Sequence, residues 1–337
     1  MKKMRKKRKR VTRVINNNTA VKAYNKEKVE RVIKELDFRP DVSARRLAGG
    51  KTNTIGIIIP RFDDMFRTYY ITEVMRSVCQ RASRSNLDVL VHLTSKDVTQ
   101  KGARAHLENI SLCSGVIFAD IQGNEPLLEE VMGEDIPCVV MNYFDKNLNA
   151  GCISIDNKGG AKAAVDYIIS LGHQRIATIT GDLAIQAGKD RLEGYKESLN
   201  SHGIPIDDEL IKKGDFSPQS AKKCIRAILK ADAYPTAIFI GSDEMALEAI
   251  KALRDNKIRM PQDISIVGFD DSWFARQGGI ALTTIRQPLI KMGEAAVEEI
   301  RRTAFSKEKG SPRKIMLPTE LVVRESCVPP LRREDFY

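Results

Sequence analysis

The residues with chemical potential in this chain are an arginine, acids and an aromatic that fall just beyond short apolar runs. Ile264-Ser-Ile-Val-Gly-Phe269 runs into Asp270, and Arg191 stands within Asp190-Arg-Leu-Glu-Gly-Tyr195, past the run 175–181. A carboxylate at a strand end accepts hydrogen bonds from a sugar hydroxyl or a base N–H. An arginine there offers a forked donor to vicinal hydroxyls or to a carboxylate. Each has a plainer reading: Asp270 as the cap of a short helix, Arg191 as an exposed surface side chain. Phe216 likewise stands open between stacking on a sugar's C–H face and packing in a core.

Catalytic patterns do not materialise. Gly181-Asp-Leu-Ala-Ile-Gln-Ala-Gly-Lys-Asp190 puts six residues between its glycines, where a phosphate loop has four, and follows its lysine with Asp. G-x-G-x-x-G at a helix start, G-x-S-x-G and H-E-x-x-H do not occur, and the pairs Asp63-Asp64 and Asp270-Asp271 lack an acid-base partner at recognisable spacing. The expectation is a binding protein without catalytic residues, cofactor or metal.

The elements that must position these residues alternate strictly. Strands are read at 54–60, 87–94, 114–120, 137–142, 152–156, 175–181, 209–214, 236–241, 264–269, 281–287 and 314–326, the last broken at Pro318. Amphipathic helices fall at 69–85, 99–110, 124–133, 157–171, 189–202, 217–231, 243–256 and 288–305. Such alternation means parallel sheets wrapped by helices, with ligands received at the carboxyl ends of the strands. On this reading Asp243, in Ser242-Asp-Glu-Met, caps a helix.

Charge separates the front of the chain from the rest. Residues 1–51 hold 18 Lys+Arg against five Asp+Glu, although the whole chain of 337 residues carries a net charge of only +11. A basicity confined to one end fits a segment that faces nucleic acid. The block Met1 to Arg10 reads either as a solvated tail or as a phosphate-contacting arm. Val29, Val32, Ile33 and Leu36 then share one helical face that a lone helix cannot bury. Asp41-Val-Ser-Ala-Arg-Arg-Leu-Ala-Gly49 is too short to be stable alone. Leu47 between arginines suits a minor-groove wedge, and equally a linker turn packed on the adjoining domain. Six single cysteines in mostly apolar surroundings read as buried thiols, and the lack of an export signal or a long apolar run points to the cytoplasm.

The stretch Arg39-Pro-Asp-Val-Ser-Ala-Arg-Arg-Leu-Ala-Gly-Gly-Lys-Thr-Asn-Thr-Ile-Gly-Ile-Ile-Ile-Pro60 resembles the hinge and first core strand of the lactose-repressor (LacI/GalR) family. Arg191-Leu-Glu-Gly-Tyr195, Leu171-Gly-His-Gln-Arg-Ile-Ala177, Leu282-Thr-Thr-Ile-Arg-Gln-Pro288 and Leu317-Pro-Thr-Glu-Leu-Val-Val-Arg324 extend the likeness over residues 11–327. The resemblance implies an α/β fold with a periplasmic-binding-protein-like core of two parallel-sheet subdomains, preceded by a small helical DNA-binding headpiece and a hinge helix. The corresponding divisions are 1–41 for the basic arm and an N-terminally incomplete helix-turn-helix, 42–50 for the hinge, 54–152 plus 284–312 and 153–283 plus 313–327 for the subdomains, and 328–337 for a tail. It further implies effector contacts by Arg191, Asp270, Ser242 and Asn142, with Phe66 and Tyr70 in the loop after 54–60 loosely aligned; Phe216 joins them as an effector-binding candidate on its own reading, and Trp273 either lines the cleft mouth or covers an edge. DNA contacts are implied for Arg8, Lys9, Arg13, Asn16, Ala44, Arg45 and Leu47. The implied partners are a palindromic double-stranded operator, a carbohydrate-like effector and a second copy of the chain, and the mechanism is ligand-linked repression. A sensing core with altered operator binding and a free solute-binding protein are the alternatives. Leu47→Ala is expected to weaken operator binding and spare effector binding; equal operator affinity of variant and parent in a gel-shift titration would remove this account of the hinge.

Overall fold

A computed structural model describes residues 14, 23–36, 52–61, 65–95, 98–230, 235–277, 279–306 and 310–331. All seven expected DNA-contacting residues, Arg8, Lys9, Arg13, Asn16, Ala44, Arg45 and Leu47, lie outside them. Helix α1 (Ala23–Glu35) carries the expected apolar stripe, and it leaves Val32 and Leu36 exposed.

The core is built on two six-stranded sheets. The first uses β1 (Thr54–Pro60), β2 (Asp88–Thr94), β3 (Val116–Phe118), β4 (Cys138–Met141), β5 (Gly151–Ile155) and β11 (Lys314–Leu317), ordered β11-β5-β4-β3-β1-β2 and parallel throughout. The second uses β6 (Ile176–Ile179), β7 (Ile211–Lys212), β8 (Ala237–Ile240), β9 (Ser265–Asp270), β10 (Thr283–Arg286) and β12 (Glu320–Val322), ordered β12-β10-β9-β8-β6-β7. Here β12 alone runs antiparallel, against β10. Central strands such as β1, Thr-Ile-Gly-Ile-Ile-Ile-Pro, are apolar without alternation because helices cover both faces. Edge strand β2 instead leaves Leu90, Val91 and Leu93 substantially exposed.

Helices α2 (Tyr69–Arg84), α3 (Gln100–Ile110) and α4 (Glu125–Gly133) connect the strands of the first sheet. Helices α5 (Asn157–Ser170), α6 (Gln186–Ser201), α7 (Pro218–Ile228) and α8 (Asp243–Asp255) serve the second. The chain crosses between sheets three times: after β5, after β10 into α9 (Leu289–Ile300), which packs back on α2, and between β11 and β12. These crossings displace the boundaries drawn from sequence. The 152/153 division falls inside β5, 283/284 inside β10, and β11, assigned beyond 312, pairs with β5 in the first sheet. The physical reason is at Pro318: the break that read as an interruption within one strand is the passage from one sheet to the other. An apolar cluster including Ile57, Val139, Ile155, Ala161, Phe269 and Ile285 runs on through the crossovers.

All six cysteines are free, and only Cys79 is exposed. Among the described residues no helix is long and apolar enough to cross a membrane, and no group of three or more His, Cys, Asp or Glu is placed to hold a metal. Ile57 is 1% exposed in the centre of the first sheet. Ile57→Ala should therefore cost about 2–5 kcal/mol, seen as a fall in the urea midpoint of unfolding.

Candidate functional site

In each sheet the strand order reverses between two neighbours, β1/β3 in the first and β6/β8 in the second. Connections leave to opposite faces at such a point and open a crevice at the carboxyl ends. The expected residues gather at these two crevices and at the strand ends beside them.

At the second crevice Arg191 is carried by the second turn of α6 and is only 5% exposed. Its Nε donates to Asn157 Oδ1 at 2.9 Å and its Nη1 to the Gly241 carbonyl at 2.5 Å. The guanidinium carbon lies 3.7 Å from the centre of the Phe269 ring and 5.7 Å from that of Phe216, a cation–π setting. Nη1 also stands 3.8 Å from Asp270 Oδ1. Burial pulls the arginine down to about 10, against the pull of Asp270 and Asp243. It stays charged at neutral pH, with two of its five N–H donors engaged.

Asp270 is also buried, and burial pushes its carboxyl up to about 6 while Arg191 and Gln287 oppose the shift. Gln287 Nε2 donates to Oδ1, and the Asp243 backbone N–H to Oδ2 at 3.3 Å. Asp270 is therefore not the cap of the short turn at 273–276; Ser272 Oγ accepts from Phe274 N and opens it. The cap expected at Asp243 falls on Ser242 instead. Ser242 Oγ accepts from Met245 N at 3.3 Å as the cap of α8, while Asp243, fully buried, accepts from Ser272 N and from the hydroxyls of Ser272 and Thr284. Ser242 is thus occupied structurally, because its extended backbone, not that of Asp243, precedes the helix.

Phe216 lies over Gly181, where a Cβ would sit 2.0 Å from the ring, so only glycine leaves room for it. Phe216, Asn142 and Asp270 have φ of 66°, 58° and 130°. Such backbone geometry is unfavourable for non-glycine residues, and it clusters where side chains must be aimed. Asn142, past β4, donates through Nδ2 to Asp120 Oδ2 at 2.9 Å. Phe66 sits 54% exposed on a single turn before α2, and Trp273 packs edge-on against Tyr69 with ring centres 5.1 Å apart. Gln186 Oε1 accepts from Phe144 N at 2.7 Å, a second tie between the two halves.

Sequence reasoning missed Asp120, Asn157 and Gln287. Asp120 carries the signal used elsewhere, an acid beyond an apolar run, in Val116-Ile-Phe-Ala-Asp120. Asn157 opens the helix read at 157–171 and Gln287 lies within Leu282-Thr-Thr-Ile-Arg-Gln-Pro288, and neither position stands out as a binding residue by type or spacing.

A family model described as a periplasmic binding protein-like domain matches residues 165–327. The HTH-type transcriptional regulator DegA of Bacillus subtilis (strain 168) is 34% identical over 322 residues, 95% of this chain and 94% of the relative. Catabolite control protein A of Priestia megaterium is 32% identical over 321 residues, 94% of each. The chain belongs to the LacI family of transcriptional regulators. Among solved structures, the lac repressor dimer bound to operator and the anti-inducer ONPF superposes with a TM-score of 0.80 at 25% identity, covering 95% of both chains. A complex of the regulator CelR with cellobiose gives 0.74 at 26% identity, covering 94% of both. For a LacI-family regulator, a buried Arg-Asp pair at the β6/β8 crevice puts both hydrogen-bonding roles side by side.

Asp270 binds its proton more tightly folded than unfolded, so ionising it opposes folding. That penalty is absent below about pH 4, grows towards about pH 6 and is complete above it. Asp270→Asn should accordingly lose less stability than the parent as pH is raised through this window. Parallel urea midpoints for the two proteins across it would refute the assignment.

Proposed function

We propose that this LacI-family regulator receives a small carbohydrate-like effector in the cleft between its sheets, and that the effector changes operator affinity through the hinge. The reading rests above all on Arg191. A charge this deep is retained where its donors are used, and three of its N–H groups remain for a ligand once the bonds to Asn157 and Gly241 are counted among the described residues. Arg191 and Asp270 then grip adjacent hydroxyls, Phe216 covers the sugar's apolar face, and Asn142 meets the ligand from the opposite wall. Ser242 and Phe66 contribute at the margin, the first through its hydroxyl while capping α8, the second at the rim.

Relatives support the class of ligand and the output. CelR has been solved with cellobiose and the lac repressor with ONPG and with operator. A ligand that favours one closure state shifts operator affinity by its differential affinity for the two states. Arg8, Lys9, Arg13 and Asn16 would contact the operator from the headpiece, and Ala44, Arg45 and Leu47 from the hinge. A homodimer brings two such hinges to a palindrome, and the exposed Leu90, Val91 and Leu93 of edge strand β2 give it an apolar surface to use. The acids of the cleft are engaged with amides, hydroxyls and Arg191, which supports a binding role.

Arg191→Lys keeps the charge and loses the fork. It should weaken effector binding about 100-fold or more, roughly 3 kcal/mol, with the melting curve still cooperative. Unchanged calorimetric affinity would dismiss Arg191 as the anchor.

A further inference from the structure

The two walls of the cleft offer unequal hydrogen-bonding roles, and the inequality bears on which sugars enter. It rests on the effector reading above and narrows it.

Asp120 stands two residues past β3, at the crevice of the first sheet. Its Oδ1 accepts from Gln122 N at 3.0 Å and its Oδ2 from Asn142 Nδ2 at 2.9 Å. A carboxylate only accepts, so Asn142 must turn its NH2 towards Asp120, which leaves the amide oxygen as its other face. Tyr70 gives its hydroxyl proton to the Ala119 carbonyl at 2.6 Å, and its oxygen too can then only accept. This wall presents carboxylate, amide and phenol oxygens as acceptors, beside the second N–H of the Asn142 amide. Burial raises the Asp120 carboxyl and the two hydrogen bonds oppose the shift.

Opposite stands one cation, Arg191, already drawn on by Asp270, Asp243 and Asp190. The Tyr70 phenol feels both Asp120 and Arg191, which sets the two walls within electrostatic reach of each other. Two helix N-termini, those of α5 and α8, are engaged by side chains, whereas α2, α4 and α6 carry no side-chain cap. Asp156 Oδ1 takes Gly159 N at the start of α5, and at the start of α8 Asp270 takes the Asp243 N–H while Ser242 takes that of Met245.

We propose that the cleft admits neutral or amino sugars and rejects sugar phosphates and sugar acids, with Asp120 as the residue that sets this choice. The ligand's far end must donate to Asp120 and Asn142, which hydroxyl and ammonium groups do and an ionised phosphate or carboxylate does not. A second anion brought within a few ångströms of the Asp120 carboxylate is disfavoured by about 100-fold or more.

The chain supplies its own reporter, since its one tryptophan, Trp273, lies 41% exposed against Tyr69 at the cleft mouth. The full chain is titrated at pH 7.5, by Trp273 fluorescence and by calorimetry, with a library of neutral sugars and their amino, uronic-acid and 6-phosphate counterparts. The best ligand should come from the neutral or amino arms, with its acidic counterparts at least about 100-fold weaker. In Asp120→Asn, which keeps an acceptor for Asn142, that gap should narrow at least about tenfold, with the melting temperature measured alongside. An acidic counterpart that binds the parent as tightly as the neutral sugar, or a gap unmoved in Asp120→Asn, overturns the proposal and leaves the effector reading standing. Binding of nothing in the library would sink the effector reading, and this inference with it.

Discussion

A guanidinium held against the face of one aromatic ring and near a second, and almost wholly removed from water, needs its charge answered by the protein around it. At Arg191 those answers come from Asn157 at the start of α5, from the Gly241 carbonyl at the end of β8, and from Asp270 at the end of β9. Breaking any one of them would leave a buried charge short of a partner, which costs far more than the bond itself contributes. The elements around the β6/β8 crevice are thereby tied to one another through a single side chain. The left-handed backbone at Phe216 and the positive φ of Asp270 persist because this surrounding network fixes them.

Asp271 extends the connection outward. It accepts from Arg286 Nε at 2.7 Å and from Arg324 Nη2, and Arg286 also donates to Glu320. Those arginines belong to β10 and to the segment after β12, the strands that flank two of the three crossovers. A ligand that engages Asp270 thus acts one peptide bond away from a charge cluster clamped to the connections between the halves. On the proposed reading, this adjacency lets cleft occupancy bear on the connections between the subdomains.

Much of this was legible in the sequence, and the failures have specific causes. Strand and helix positions followed from uninterrupted apolar runs alternating with amphipathic ones, a strong signal when both faces of a sheet are covered. Asp270, Asn142 and Phe216 were singled out because they come just after such runs, and Arg191 because Arg191-Leu-Glu-Gly-Tyr195 matches the family's pattern. The cap was assigned to Asp243 in place of Ser242 because both residue types cap helices and only the extended backbone of Ser242 decides between them. Asp120 was passed over although its position carried the same signal. Its partnership with Asn142 joins the ends of two adjacent strands, a relation visible only once β3 and β4 are known to pair. The positive φ values at Phe216, Asn142 and Asp270 left no mark at all, since glycine is the usual sign of that geometry.

Pro318-Thr319 has a genetic corollary. On one side of this dipeptide the chain forms the border strand of the first sheet, on the other the border strand of the second. Neither half is therefore encoded by a continuous stretch of gene. A frameshift or nonsense lesion shortly before codon 314 would strip an outer strand from both lobes at once and should resemble a complete deletion, and cutting the gene between lobes cannot yield two intact pieces.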